Sequence, residues 1–182
     1  MTFLDHDTLR RSYDRSAATY DARFRALQHE KYTVMLGNGA NLGGPPWLDL
    51  GCGTGLLRAY LAERGADDTG LVGLDYSGAM LARARDRMLP VAQGVADQLP
   101  FRDAVFGAVL AFTVLRLLPD PAGEKQMLAE VARVLDRGGA FVLTVLRRCH
   151  DGTLADRLRA AGLQPGAAQP CGQDVGYRCR RI

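Results

Sequence analysis

The chain has 182 residues, of which 47% are apolar and 24% are charged, and its formal net charge is +3. This length suits one domain, and the composition is that of an ordinary globular protein, which excludes a mainly disordered, collagenous or coiled-coil chain. The scattered arginines lack the dense basic stripe of nucleic-acid binders, and no apolar run is long enough to cross a bilayer.

The first residues and the cysteines point to a cytoplasmic protein. Residues 1–7 are acidic and do not resemble a secretory signal. The four cysteines, at positions 52, 149, 171 and 179, contain no CxxC pair, so we expect reduced thiols and no metal site. A soft-metalloid site formed by the last three is an alternative, although their spacing indicates nothing specific.

The first 40 residues are predicted to form a helical cap. Apolar side chains recur there at helical spacing, at Leu9, Tyr13, Ala17 and Tyr20, and less regularly at Phe24, Leu27 and Val34. Residues 37–46 are mostly glycine, proline and asparagine and indicate a loop. A lone segment of this size cannot be a domain, so we expect residues 1–40 to pack on a core formed by residues 46–182, within one domain.

After this loop, apolar strands alternate with helices. The strands are predicted at Trp47–Leu50, Leu71–Leu74, Pro90–Gly94, Val105–Phe112 and Ala140–Leu146. The helices are predicted at Leu56–Arg64, Gly78–Met88, Glu124–Leu135 and Thr153–Ala161. Two further strands, at Ala167–Cys171 and Val175–Arg180, suit an antiparallel C-terminal hairpin. This order predicts an α/β fold with a Rossmann-like, doubly wound sheet of about seven strands, mostly parallel.

The turn after the first strand carries a glycine motif, Asp49-Leu50-Gly51-Cys52-Gly53-Thr54-Gly55. Ligands of doubly wound sheets bind at the carboxyl ends of the strands, where glycines let them approach the backbone and a helix N-terminus favours an anionic group. A dinucleotide fingerprint requires glycine at position 56, where Leu56 stands, and this disfavours an NAD-dependent oxidoreductase. Asp75 ends the second strand and can accept hydrogen bonds from a ribose, so the pattern indicates a nucleoside ligand without a pyrophosphate.

In this order, the motifs resemble those of class I S-adenosylmethionine-dependent methyltransferases, closest to the type 11, ubiquinone/menaquinone biosynthesis-like small-molecule branch. The resembling segments are Asp49–Gly55, Leu71–Met80, Leu99–Phe101, Val114–Pro121, and Glu130–Leu135 with Gly138-Gly139. The resemblance implies S-adenosylmethionine as cofactor and methyl transfer to a small organic acceptor. A non-catalytic protein that binds S-adenosylmethionine in the same fold is the alternative. An RNA methyltransferase is disfavoured because no basic stripe or aromatic-flanked motif follows the fourth strand.

The resemblance also implies which residues bind the cofactor. They are Tyr20, Asp49, Gly51, Cys52, Gly53, Gly55, Asp75, Tyr76, Met80, Ala96, Asp97, Ala111 and Phe112. Asp49 would bind the ammonium of the methionine moiety, Asp75 the ribose, and Tyr20 would close over the site. Tyr76 and Met80 would pack near the adenine. The alternatives are a turn-stabilising role for Asp49, core packing for Met80, and packing of the cap on the sheet for Tyr20.

Three positions depart from the pattern of that family. Val95 stands where an aspartate usually reads the adenine amino group, so the Ala96 backbone N–H, helped by Asp97, is the predicted substitute. A solvated loop acid is the alternative for Asp97. Gly107 stands where aspartate is usual, and Arg116-Leu117 replaces a paired histidine. Because of these changes, no catalytic base is assigned.

The acceptor is expected beneath the N-terminal helices. Thr113, beside the expected methyl position, is either a polar contact or a helix-start hydroxyl, and a catalytic role for His29 or Lys31 has little support. Only about six residues separate Leu146 from the last predicted helix, where many relatives insert a lid. The site is therefore either open or completed by a partner chain, such as a second copy in a homodimer. No metal or nucleic acid is expected.

Overall fold

A computed structural model describes residues 6–37, 41–115 and 121–182. Its helices are α1 (His6–Ser16), α2 (Tyr20–Leu36), α3 (Leu56–Glu63), α4 (Gly78–Asp86), α5 (Pro121–Val134) and α6 (Leu154–Ala160). Its strands are β1 (Trp47–Leu50), β2 (Leu71–Asp75), β3 (Val91–Gln93), β4 (Phe106–Phe112), β5 (Leu135–Leu146), β6 (Leu163–Pro165), β7 (Gln169–Cys171) and β8 (Asp174–Arg181).

The strands form one sheet in the order β3-β2-β1-β4-β5-β8-β6, and β7 pairs with β8. Strands β1 to β5 are parallel, while β8 is antiparallel to β5, β6 and β7. This topology confirms the predicted Rossmann-like fold. The strand order reverses between β1 and β4, and this switch point is where doubly wound sheets bind ligands.

Two elements differ from the sequence prediction. The strand β6 was not predicted, because three residues ending in a proline carry little strand pattern. Strand β5 begins at Leu135, which the sequence analysis assigned to the preceding helix. Leu135 belongs to the strand because it pairs with Phe106 of β4; the next pair is Ala108 with Ala140. Residues 136–139 are looped out between these pairs.

The strands are apolar because helices cover both faces of the sheet. All seven residues of β4 are buried, as expected for a central parallel strand. One cluster of buried side chains includes Phe106, Met127 and Phe141, and a second includes Tyr32 and Leu57. Within the described parts of the chain, no helix is both long and apolar enough to span a membrane.

Polar contacts hold α1 and α2 against the sheet. Asp14 of α1 accepts hydrogen bonds from the Ser77 hydroxyl (2.5 Å) and the Ala79 amide (3.3 Å) at the start of α4. Asp21 of α2 accepts a hydrogen bond from the Thr54 hydroxyl (2.6 Å) and pairs with Arg87. Helix α1 therefore lies over the turn that follows β2, and α2 lies over the turn that follows β1. The division into a cap and a core within one domain stays a prediction.

Candidate functional site

A cavity of about 620 Å³ lies at the carboxyl ends of β1, β2 and β4, beneath α1 and α2. Its walls include eight of the predicted cofactor-binding residues: Tyr20, Gly51, Gly53, Asp75, Tyr76, Met80, Ala96 and Phe112. The cavity is thus at the switch point of the sheet, where the sequence analysis placed the ligand.

The other predicted residues do not line the cavity: Asp49, Cys52, Gly55, Asp97 and Ala111. Asp49 and Ala111 are buried in β1 and β4, so both lie one layer beneath the wall. Asp97 is half-buried and follows Ala96, which does reach the cavity. Its predicted contact with adenine stays a prediction.

The glycine turn is held against the end of β2 by its own backbone. The amides of Gly51 and Cys52 both donate to the Leu74 carbonyl, at 2.7 Å and 3.0 Å. The Gly53 amide donates to Oδ2 of Asp75 at 2.9 Å. Positive φ values at Gly51, Gly53 and Gly55 (72°, 53° and 79°) let the chain reverse here without the strain a side chain would impose. A Cβ at Gly53 would meet no atom within 4 Å, so the cavity side of the turn is open for a ligand.

Two buried carboxylates lie at this turn. Asp49 is 4% exposed, and its Oδ2 has no hydrogen-bond partner within the described chain. Burial, and secondarily the charge of Asp75, raises the pKa of Asp49 to about 8. Burial also raises the pKa of Asp75, although amide donors from Ser77 and Gly53 oppose that rise. Buried carboxylates without a cation are costly, so the pair favours a positively charged ligand.

Aromatic rings line the cavity on the side of β2 and the N-terminal helices. Tyr13 lies edge-on to Tyr76 with the ring centroids 6.2 Å apart, and it also contacts Tyr20 at 6.4 Å. Tyr20 in turn packs against Phe24 at 4.8 Å. The Tyr76 hydroxyl is buried and lacks a hydrogen-bond partner among the described residues. This wall suits a flat, partly polar ring, because tyrosines combine an apolar face with a polar edge.

The sequence analysis missed part of the site, which we call the Lys31 cluster and define as Lys31, Thr113, Thr144 and Asp174. The Lys31 Nζ lies 2.6 Å from Thr113 Oγ1 and 3.0 Å from Asp174 Oδ2. The hydroxyls of Thr113 and Thr144 each donate to Asp174 Oδ2 at 2.8 Å. Lys31 and Thr113 were considered singly, but Asp174 carries no sequence signal at all.

Thr113 holds this cluster in a strained backbone. Its φ is +63°, which is rare for a β-branched residue. Its amide donates to the Thr144 carbonyl at 3.0 Å, which ties it to β5. Its neighbour Val114 touches the glycine turn, since a Cβ on Gly51 would lie 2.5 Å from a Val114 methyl group. The Lys31 cluster therefore begins directly beside the turn.

The remaining cysteine and motif predictions have mixed outcomes. Burial raises the pKa of Cys171 to about 11 and that of Cys179 to about 12, so both stay thiols near neutral pH, which disfavours the metalloid alternative. Among residues 6–37, 41–115 and 121–182, no group of His, Cys, Asp and Glu could hold a metal ion.

Arg116-Leu117, and with it most of the fourth motif, lies outside the described residues. The segment predicted to lack a lid is a 3-10 helix at Arg147–Cys149 followed by four residues.

Comparison with known proteins identifies similar sequences. Residues 48–143 match a family model described as a methyltransferase domain. The chain is 34% identical over 138 residues to the malonyl-[acyl-carrier protein] O-methyltransferase of Serratia marcescens, a match covering 74% of this chain and 51% of that protein. It is 32% identical over 148 residues to the phosphatidylethanolamine N-methyltransferase of Cereibacter sphaeroides, covering 77% and 68%. The chain thus spans from about half to two thirds of the length of these two relatives, and only 30% of a bifunctional biotin-biosynthesis protein from Cellvibrio japonicus.

Solved structures share the fold at low sequence identity. The CcbJ methyltransferase of Streptomyces caelestis superposes with a TM-score of 0.75 at 16% identity, covering 92% of this chain and 96% of that one. A possible histamine N-methyltransferase from Thermotoga maritima superposes with a TM-score of 0.72 at 19% identity, covering 96% and 100%.

Proposed function

This chain belongs to the class I S-adenosylmethionine-dependent methyltransferases, and we propose that it transfers a methyl group to a small organic acceptor bound in the 620 Å³ cavity. S-adenosylmethionine, when bound, supplies a methyl group on a positively charged sulfonium. The relatives that carry a functional name include both O- and N-methyltransferases. The alternative of a non-catalytic binding protein has no support from these relatives.

The observation that carries the proposal is the pair of buried carboxylates at the glycine turn. Asp49 has an unpartnered oxygen beneath the turn, and it would bind the ammonium of the cofactor directly or through a water molecule. Asp75 would accept hydrogen bonds from the ribose hydroxyls. The free amides at the start of α3 suit the cofactor carboxylate, because a helix N-terminus favours negative charge.

The rest of the cavity would place the two reactants and exclude water. Tyr13, Tyr20 and Tyr76 would cover the adenosyl part from the side of the N-terminal helices. Because methyl transfer from a sulfonium consumes the positive charge, catalysis depends mainly on in-line positioning and desolvation. Cytoplasmic location and homodimer assembly remain predictions from the sequence, as does the absence of a nucleic-acid partner.

Calorimetric titration with S-adenosylmethionine, S-adenosylhomocysteine and NAD tests the cofactor assignment. We expect both adenosyl ligands to bind and NAD not to bind. Asp75→Asn should weaken binding of S-adenosylhomocysteine by about 10- to 100-fold, because it removes a charged hydrogen-bond acceptor worth about 1.5–3 kcal/mol.

Asp103→Asn is the matched control, since the side chain of Asp103 is 76% exposed and pairs with Arg133 outside the cavity. Its affinity for S-adenosylhomocysteine should equal that of the unmodified protein. Failure of the unmodified protein to bind either adenosyl ligand would overturn the proposed function. Unchanged affinity in Asp75→Asn would overturn the ribose assignment alone.

A further inference from the structure

The Lys31 cluster lies on the opposite side of the cavity from Asp75. Asp75 ends β2, whereas Asp174 opens β8, and β1, β4 and β5 lie between these two strands. Lys31, Thr113 and Asp174 all line the cavity. Most of the predicted cofactor residues that line the cavity follow β1 and β2, so we place the acceptor of the proposed reaction at the end beside this cluster.

The hydrogen bonds of this cluster leave two groups without a full set of partners among the described residues. Oδ2 of Asp174 is saturated, because Thr113, Thr144 and Lys31 all point donors at it. Oδ1 of the same carboxylate is buried and has no partner among the described residues. The Lys31 ammonium carries three N–H donors, and its described contacts are with Thr113 and Asp174.

A fully buried carboxylate with one bare oxygen is expensive unless something donates to it. Asp174 is 0% exposed, and Lys31 is only 7% exposed. An oxygen of a buried carboxylate that has no hydrogen-bond donor is costly, because nothing compensates the loss of its hydration. The strained φ of Thr113 adds to that cost. An arrangement that is retained at this cost beside an open cavity points to a ligand that completes it.

We propose that Lys31 and Asp174 bind the hydroxyl group of the methyl acceptor, so that the protein methylates oxygen. This inference rests on the proposed function and deepens it. The hydroxyl donates its proton to Oδ1 of Asp174 and accepts a hydrogen bond from Lys31. In the transfer, the oxygen–carbon bond forms, the carbon–sulfur electron pair goes to sulfur, and the hydroxyl proton passes to Oδ1 of Asp174.

The pairing of one donor with one acceptor selects a hydroxyl over other nucleophiles. A hydroxyl oxygen has one proton and two lone pairs, so it can satisfy both Asp174 and Lys31 and still attack with the second lone pair. A neutral amine has one lone pair, which a hydrogen bond from Lys31 would occupy. A carboxylate has no proton to donate, and it would be repelled by Asp174.

Three naphthalene derivatives test this proposal: 1-naphthol, 1-naphthylamine and 1-naphthoic acid. They share the same two-ring system and differ only in the polar group. Their rings suit the apolar part of the wall formed by Phe24, Leu27 and Phe112. Binding to protein saturated with S-adenosylhomocysteine is followed by naphthyl fluorescence, and transfer is followed with methyl-tritiated S-adenosylmethionine.

We expect 1-naphthol to bind at least about tenfold more tightly than the amine or the acid. Asp174→Asn should lower naphthol affinity by at least about tenfold and transfer by about 100-fold or more, because both a hydrogen bond and a proton acceptor are lost. Lys31→Met keeps the aliphatic stem of Lys31 and should also lower naphthol affinity at least about tenfold. Neither variant should change the affinity for S-adenosylhomocysteine more than about twofold.

Glu124→Gln is the control for removing a buried, ion-paired carboxylate. Glu124 is 8% exposed and lies 2.6 Å from Arg157, outside the cavity. The affinity of the Glu124→Gln variant for 1-naphthol and its rate of methyl transfer should match those of the unmodified protein. Equal naphthol affinity in Asp174→Asn, tighter binding of the acid or the amine than of the alcohol, or no naphthol binding to the loaded protein would each overturn the hydroxyl site. Failure of the unmodified protein to bind S-adenosylhomocysteine would instead overturn the proposed function.

Discussion

At the scale of single residues, Asp49 and Asp75 show that two carboxylates beside the same turn can differ in their environment. Asp75 accepts hydrogen bonds from the amides of Gly53 and Ser77, each at 2.9 Å. Asp49 lies inside β1 and has no such support for its Oδ2. Burial therefore raises the pKa of Asp49 to about 8, so the carboxyl is mostly protonated at neutral pH unless a cation is nearby.

This shift makes the stability of the ligand-free protein depend on pH. The unfolded Asp49 loses its proton near its ordinary pKa of 3.8, whereas the folded one keeps it up to about 8. Unfolding thus releases a proton from Asp49 at any pH between these two pKa values. The contribution of the neutral Asp49 to stability is therefore complete below pH 3.8 and is lost as the pH rises through about 8. The free energy of unfolding should fall across this window by up to about 1.4 kcal/mol per pH unit from this group.

Asp49→Asn isolates that contribution, because asparagine is neutral at every pH while Asp75, whose pKa is also raised, is retained. Urea unfolding from about pH 5 to about pH 8 should show a steeper decline for the unmodified protein than for the variant. Parallel declines would mean that Asp49 is ionised in the folded protein.

At the scale of helices and strands, the arginines near the C-terminus act inside the structure. Arg178 donates to the carbonyls of Met35 (2.9 Å) and Val34 (2.7 Å) at the end of α2. Arg180 donates to the carbonyls of Gly138 and Asn41, and Arg181 to that of Leu135. The sequence analysis noted the arginines only as scattered charges without a basic stripe. Arg178 thus satisfies carbonyls at the end of α2, and Arg181 the carbonyl directly after α5, where positive charge is favoured, whereas Arg180 bonds to two loops.

Arg178→Met should therefore destabilise the protein by about 1.5–3 kcal/mol, because two carbonyls lose a charged donor while the aliphatic stem is kept. Denaturant unfolding measures this change. Arg159→Met is the control: the Arg159 side chain is 51% exposed and pairs only with Asp156 one turn away in the described structure, so its cost should stay below about 0.5 kcal/mol. Equal costs for the two variants would exclude a capping role for Arg178.

Strand β4 explains one departure from the family pattern. Gly107 stands where the family resemblance implies an aspartate, and the structure leaves no room for a side chain there. A Cβ on Gly107 would lie 1.9 Å from the Gly44 carbonyl oxygen, and the Gly107 amide donates to the Pro46 carbonyl at 3.0 Å. The loop before β1 thus packs directly on the backbone of β4.

Gly107→Ala should destabilise the protein by about 1–3 kcal/mol, since either the loop or a paired central strand has to move. Thermal unfolding reports the change. Gly44→Ala is the control, because a Cβ on Gly44 would have no atom within 4 Å. It should change the free energy of unfolding by less than about 0.5 kcal/mol. Similar melting temperatures for the two variants would contradict this packing.

At the scale of the whole molecule, α1 and α2 cover the cavity but are held in different ways: Tyr32 and Met35 of α2 are buried in the core, whereas the described hydrogen bonds from α1 to the sheet layer are made by Asp14. The Asp14 carboxylate fixes α1 to the start of α4, where negative charge is favoured. Contacts of this kind open more readily than the buried core does, so α1 is the part expected to move when ligands enter.

Asp14→Ala should raise hydrogen exchange at the amides of α1 several-fold and leave β4 and β5 unchanged, because the global unfolding free energy still protects the sheet. Hydrogen–deuterium exchange with mass spectrometry measures both. Asp7→Ala on the same helix is the control, since Asp7 pairs only with Arg10 and Arg11 of α1 in the described structure. Equal exchange in the two variants would mean that the Asp14 contacts do not hold α1.

The order of elements, the Rossmann-like sheet and the glycine turn with Asp49 and Asp75 were all determined by the sequence. Each depends on residues close together in the chain, or on strand ends that parallel pairing necessarily brings to one edge. The family resemblance follows from the same short motifs. The predicted wall residues Tyr20 and Phe112 also lie on the cavity, because they adjoin these elements.

The Lys31 cluster was decided only by the tertiary structure. Its hydrogen bonds join residues 82 and 61 positions apart, between α2, the end of β4 and the start of β8. Periodicity cannot reveal such contacts, because they depend on β8 lying antiparallel to β5, which places Asp174 opposite Leu146 at the cavity. The proposed cofactor half of the site is therefore readable from local pattern, whereas the proposed acceptor half arises from how distant segments of this chain pack together.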